Sequence, residues 1–223
     1  MLSFKFLVLF KVVIIIFFSV FKTAIANNDK ITALAESYAN LVHHYYNEVA
    51  LKTISLDKAI ILFLENPNEA TLKVAKKNWI AARKVYGITE AFRFYGGPID
   101  GINKYGDEGP EGLINAWPLN EAYIDYVHGN SGSGIINNLS YTIDEKSIIA
   151  SNMSEDDADV STGWHAIEFL LWGQDSSLET AGTRKVQDYL PGDPFKERRR
   201  TYLKEVSSLL LEHINWLNAQ WSN

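Results

Sequence analysis

Hydrophobic positions recur along this chain with the period of an α-helix. Ile31, Leu34, Ala35, Tyr38, Leu41, Val42, Tyr45 and Val49 follow the i, i+3, i+4, i+7 rule and predict one long amphipathic helix. Leu56, Ala59, Ile60, Phe63 and Leu64 resume the stripe after a break expected near Ser55. Asn66-Pro67-Asn68-Glu69 then offers a capping residue, a proline at the first helical position and an acid three residues after the cap. The helix it opens carries Leu72, Ala75, Trp79, Ala82 and Tyr86 on one face and is expected to reach about Phe94. Gly96-Gly97-Pro98 stops it.

Residues 96–116 are glycine-rich and irregular. Pro118 is placed to open a further helix to about Tyr126, and Gly129-Asn130-Ser131-Gly132-Ser133-Gly134 reads as a flexible loop. Thr142-Ile143-Asp144-Glu145 has the form of a capping box before a short helix. After the acidic run Glu155, Asp156, Asp157 and Asp159 comes an apolar segment from Trp164 to Trp172. A last helix from about Phe195 to Trp221 buries Tyr202, Val206, Leu209, Leu210, Ile214 and Leu217. No alternating strand pattern of useful length and no internal repeat is present. The pattern predicts an all-α helical bundle.

The first 26 residues break this pattern. Lys5 and Lys11 precede the apolar run Val12 to Phe21, and Ala24-Ile25-Ala26 has the small-x-small form of a cleavage site. This run of ten residues, apolar except for Ser19, falls short of the roughly 20 that a spanning helix needs. Residues 1–26 therefore read as a signal peptide and 27–223 as the exported domain, in the periplasm or cell envelope. Contact with a membrane is expected only through the N-terminal segment, if it stays uncleaved.

That division changes the charge. The whole chain carries 21 basic and 27 acidic side chains, a balance of −6. Without Lys5, Lys11 and Lys22 the basic count falls to 18 and the balance to −9. Phosphate contacts need a basic patch, so nucleic acid is excluded as a partner. The chain has no cysteine, which removes disulfides, thiolate metal sites, cysteine nucleophiles and a lipid-modified cysteine anchor.

Candidate chemistry concentrates in Trp164–Trp172, where only His165 and Glu168 are polar. Three residues apart on a helix, they share a face. Burial of a carboxylate is costly unless it is paired or holds a metal. The pair therefore suits either a core hydrogen bond or donation of a nitrogen and an oxygen to one cation. Glu90 extends the face Ala75, Trp79, Ala82, Tyr86, where an apolar residue is expected. Its simplest partner is Arg93 at i+3. Asp100 sits in the Gly-Gly-Pro turn, and Asp125 falls among Ala122, Tyr123 and Tyr126; each by itself reads as a turn or capping carboxylate. His165, Glu168, Glu90 and Asp100 together form a nitrogen-and-carboxylate metal set, suited to iron, zinc or copper rather than to a metal that prefers thiolate. His44 and Glu48 read as a solvated pair, and Arg198-Arg199-Arg200 as a solvated face able to meet a phosphate or an acidic partner. The zinc-protease motif HExxH is absent.

Several segments in order resemble the imelysin family. They are Trp79-Ile-Ala-Ala-Arg83-Lys-Val-Tyr86, Thr89-Glu90-Ala91-Phe92-Arg93-Phe94-Tyr95-Gly96-Gly97-Pro98-Ile99-Asp100, and Trp117-Pro118 with Ile124-Asp125. Gly163-Trp164-His165-Ala166-Ile167-Glu168 through Asp175 is similar to that family's Gly-x-His-x-x-Glu signature. Ala181-Gly182-Thr183-Arg184 and Arg199-Arg200-x-Tyr202-Leu203 continue it. The resemblance implies exported helical-bundle proteins of bacteria, some iron-regulated or involved in iron uptake, with the His-x-x-Glu pair regarded as metal-binding. Members usually carry two bundles, and this chain ends after what reads as the first.

Three functions follow as expectations. The first is an exported metal-binding protein for iron uptake or handling, with other iron-uptake envelope proteins as partners. The second is a zinc peptidase, in which His165 and Glu168 would be ligands and Glu90 or Asp100 a third ligand or the base. The third is an envelope interaction module whose polar pair only satisfies the core.

Overall fold

The computed structural model describes the backbone of residues 2–222 and the side chains of residues 28–222. The side chains of the expected signal peptide lie outside the described residues. Among the described residues no helix is long and apolar enough to cross a membrane. The chain divides into two compact units, Met1–Val42 and His43–Asn223.

The described residues form seven helices: α1 (Leu2–Glu65), α2 (Glu69–Ile88), α3 (Glu111–Asn115), α4 (Glu121–Ile124), α5 (Glu145–Ser151), α6 (Gly163–Trp172) and α7 (Pro194–Trp221). Short 3-10 turns occupy Thr89–Phe92, Ile135–Asn137 and Val186–Tyr189, and no strand is present among the described residues. The all-α expectation holds.

In the first unit, Ile31, Leu34, Tyr38 and Leu41 are exposed, although the stripe predicted them to be buried. Periodicity identifies the apolar face of a helix but not what covers it. In the second unit the same helix buries Tyr46, Val49, Ala50, Leu56, Ala59, Ile60, Phe63 and Leu64. The break expected near Ser55 does not occur. Thr53 Oγ1 donates to Val49 O at 2.9 Å and Ser55 Oγ to Leu51 O at 3.0 Å, so both hydroxyls are satisfied without leaving the helix.

Helix α2 starts two residues later than expected. Asn68, not Asn66, is the cap: its side chain accepts from Ala70 N and Thr71 N at 2.9 and 3.1 Å. Thr71 Oγ1 in turn accepts from Asn68 N at 3.2 Å, closing a capping box. The predicted face Leu72, Ala75, Trp79, Ala82 and Tyr86 is buried throughout. The helix ends at Ile88 rather than near Phe94, because the Thr89 hydroxyl bonds back to Tyr86 O at 2.7 Å and the chain tightens into a 3-10 turn. Helix α4 covers only Glu121–Ile124 of the segment expected to be helical as far as Tyr126. The cap of α5 is Asp144, which accepts from Ser147 N at 2.8 Å, and not Thr142.

Helix α6 is the centre of the bundle and packs against α2, α3 and α7. Trp164, Ala166, Ile167, Leu170 and Leu171 on it are fully buried. Trp79 Nε1 of α2 donates to Trp164 O at 3.0 Å, and the two indoles meet edge to face. Helix α7 opens on the cap Asp193, which accepts from Phe195 N and Lys196 N, with Pro194 at its first position. Its six predicted core residues are all buried.

The basic run on α7 is not a solvated face. Arg198 donates to the carbonyls of Ile135, Ile136, Asn138 and Tyr141. Arg200 donates to Tyr189 O at 2.9 Å and pairs with Glu197. Arg199 is buried against Asp125, with Nε–Oδ2 at 2.6 Å and Nη2–Oδ1 at 2.9 Å. These arginines tie α7 to the backbone carbonyls of the segments around Ile135–Tyr141 and Tyr189.

Candidate functional site

Two glycines fix the ends of α6 and so aim its polar face. Gly163 has φ +80°, and a Cβ there would lie 2.3 Å from Ile114 O. Gly173 has φ +73° and closes the helix by donating to Phe169 O at 2.7 Å. Beside them, Thr162 Oγ1 donates to Leu113 O at 2.9 Å, and Arg184 N to Trp172 O at 2.7 Å. With these anchors the apolar sides of α6 are buried, and the strip carrying His165, Glu168 and Trp172 faces a pocket.

His165 Nδ1 lies 2.9 Å from Glu168 Oε2. The pair is not a core pair: their side chains are 15% and 42% exposed. The expectation that a segment this apolar would bury its carboxylate is thus corrected. One strip of a ten-residue helix is left uncovered, and both polar residues fall on it.

The pocket has a volume of about 300 Å³. His165, Glu168, Phe169 and Trp172 line it from α6, Trp117 and Glu121 from the segment around the cis Trp117–Pro118 bond and α4, and Asp175 from the loop after Gly173. The Trp117 and His165 rings are 4.6 Å apart between centroids. Three carboxylates and no lysine or arginine stand among the lining residues. These carboxylates can offer oxygens to a cation, although the Lys76 ammonium lies 5.4 Å from the Trp172 ring and the charge of Arg184 acts on Glu121. Partial burial raises the pKa of Glu121, against the opposing hydrogen bond from Gln174. A carboxylate held that way gains by meeting a positive charge.

The other two expected ligands are elsewhere. Glu90 is exposed in the 3-10 turn, because the shortened α2 gives its place on the buried face to Thr89. Arg93 pairs not with Glu90 but with Glu111, at 2.9 Å. Asp100 folds its carboxylate back onto its own turn, accepting from Gly97 N at 2.8 Å and from Phe94 N. Neither residue lines the pocket of His165. Among the described residues no three His, Asp or Glu side chains are gathered closely enough to hold a metal ion. The imidazole and carboxylates present are of the type that suits a hard or borderline cation. In number they do not form a closed site.

Sequence reading missed Glu121, Asp175 and Trp117 as pocket residues. Asp175 is inside the signature segment, but its helical register is lost after Gly173, so spacing could not assign it. Glu121 looks like any acid in the first turn of a helix. Sequence reading also missed the role of Asp125. This residue is fully buried, between Arg199 and Arg184, with Arg184 Nη1 at 2.9 Å from Oδ2. Burial opposes the charge on Arg199, but the hydrogen bonds and charge of Asp125 outweigh it and raise the pKa above that of a free guanidinium. The cluster is a structural tie.

The sequence model described as Imelysin matches residues 42–223, a span that begins beside the boundary between the two units and takes in the pocket and the arginine tie. No curated protein matches the chain.

Proposed function

This chain belongs to the imelysin family, and from that premise we propose that it is an exported metal-binding protein that handles iron through the His165/Glu168 pair. The observation that carries the reading is the placement of this pair on the wall of a pocket whose other charged residues, Glu121 and Asp175, are both acidic. An imidazole with surrounding carboxylates suits iron, zinc or copper, and the absence of cysteine leaves no thiolate to favour a softer ion. Export rests on the N-terminal pattern of residues 1–26. Other envelope proteins of iron uptake are its proposed partners.

The peptidase reading ranks below this one. A hydrolytic zinc centre takes three protein ligands and keeps a position open for water. The pocket offers the pair and two more distant acids, so it suits capture and transfer of a cation better than a fixed catalytic centre.

Isothermal calorimetry and metal analysis on the purified chain test the proposal, with iron, zinc and copper titrated in turn. Saturable binding of iron, lost in His165→Ala, is the expected result. Binding that is absent, or that survives His165→Ala unchanged, overturns it.

A further inference from the structure

We propose that the two residues of the pair do different jobs: Glu168 is a positioning residue that fixes the tautomer of His165, and His165 Nε2 alone is the donor directed to a metal. This rests on the metal-handling reading and divides the labour within it.

The division follows from the 2.9 Å contact between His165 Nδ1 and Glu168 Oε2. An ionised carboxylate has lone pairs and no proton to give, so the hydrogen in this bond belongs to Nδ1. A ring nitrogen carrying a proton has no lone pair in the ring plane to offer a cation. In the neutral ring, the lone pair is then on Nε2, which makes no hydrogen bond among the described residues. Metal-bound histidines commonly have this arrangement, with one nitrogen on the ion and the other N–H held by a carboxylate.

The surroundings favour the same division. The imidazole is the less exposed partner, and Trp117 lies against it with ring centroids 4.6 Å apart, which restricts its rotation. Glu168 lies farther out on the helix, 42% exposed, and reaches the ring from its Nδ1 side. For both residues to ligate through the atoms now in contact, the bond between them must break and Nδ1 must lose its proton. Glu121 and Asp175, which line the same pocket, are free of that constraint.

Glutamine separates a positioning role from a ligand role, because its carbonyl still accepts from Nδ1–H while its charge is gone. Ring ¹⁵N NMR of the metal-free chain is the first readout. Wild type and Glu168→Gln are expected in the Nδ1–H tautomer, and Glu168→Ala is expected to lose that preference. Zinc calorimetry is the second readout. Glu168→Gln should stay close to wild type, while Glu168→Ala falls by about 10- to 100-fold. A wild-type ring in the Nε2–H tautomer overturns the proposal. So does a Glu168→Gln chain that loses zinc as completely as His165→Ala, which would make Glu168 a direct ligand while leaving the metal-handling reading intact. If neither iron nor zinc binds the wild type, that reading fails by itself. The tautomer then decides the role of Glu168: dependence on an acceptor at 168 supports the positioning assignment, and independence overturns it.

Discussion

Two carboxylate–nitrogen pairs in this protein share a chemistry and differ in everything around them. Asp125 meets Arg199 and Arg184 in the interior, with its side chain fully buried and both of its oxygens engaged. Glu168 meets His165 on a half-open strip of α6, through one oxygen and one ring nitrogen. The first is closed: Asp125 meets two guanidiniums, and its carboxylate has no exposed surface. The second has unused donor atoms facing a pocket lined by acids. Candidate function here is marked by unspent bonding capacity beside open space, and not by the strength or burial of the ion pair.

The largest effect expected from breaking this comparison is on Arg199. Arg199→Met removes two charge-assisted hydrogen bonds from buried Asp125, and at about 1.5–3 kcal/mol each a loss of about 3–6 kcal/mol is expected. Urea unfolding followed by circular dichroism reads it as a lower midpoint with an unchanged slope. A loss below about 1 kcal/mol would mean that the cluster is a local convenience and not a tie.

His213 sharpens the contrast, because it is a buried imidazole with no carboxylate beside it. It packs edge-on against Tyr105, its Nδ1 has no hydrogen-bond partner, and burial, with the charge of Lys104, pushes its pKa down to about 4. The folded pKa is below the unfolded value of about 6.5, so the unfolded chain binds the proton more readily. Stability is therefore expected to fall as pH drops below about 6.5 and to stop falling from this source below about 4, with a total on the order of 3 kcal/mol. His213→Phe should flatten the stability-versus-pH curve across that window.

A smaller effect is expected at the α2–α6 contact behind the pocket. Trp79→Phe replaces the indole by a smaller ring and removes the second donor to Trp164 O, which keeps only its place in the α6 backbone ladder. About 1–3 kcal/mol should be lost, again read by urea unfolding, with metal affinity nearly unchanged.

The smallest effect on stability belongs to the pair that carries the proposed function. His165→Ala should lower the unfolding free energy by no more than about 1 kcal/mol, since a partly exposed pair contributes little. The same substitution is expected to abolish iron binding. Large destabilisation without a change in binding would reverse the comparison and make this pair the structural one.

The helical class, the buried faces of α2 and α7, and the importance of Trp164–Trp172 were legible in the sequence. Each depends on local spacing, and a 3.6-residue period survives whatever the helix packs against. Helix ends were less legible. Asn66 and Asn68 are both plausible caps, as are Thr142 and Asp144, and the choice depends on which side chain reaches the free N–H groups in three dimensions. Within the site, the His165/Glu168 pair could be read from i, i+3 geometry. Glu90 was misassigned to a continuing helix face because the Thr89 hydroxyl ends α2 early. Glu121 and Asp175 were not legible, because loops bring them to the pocket and loops have no period.

The sequence by itself determined the all-α architecture, the acidic balance of the chain beyond residue 26, the absence of any thiolate donor and the i, i+3 placement of His165 and Glu168. Tertiary structure decided which carboxylates face open space and which are used up. It sealed Asp125 with arginines 59 and 74 residues away, turned Asp100 back onto its own turn and left Glu168 at the edge of a pocket. The physical reason is that a carboxylate has the same chemistry everywhere along a chain. Its surroundings decide whether its lone pairs are already filled, and those are assembled only when distant segments meet.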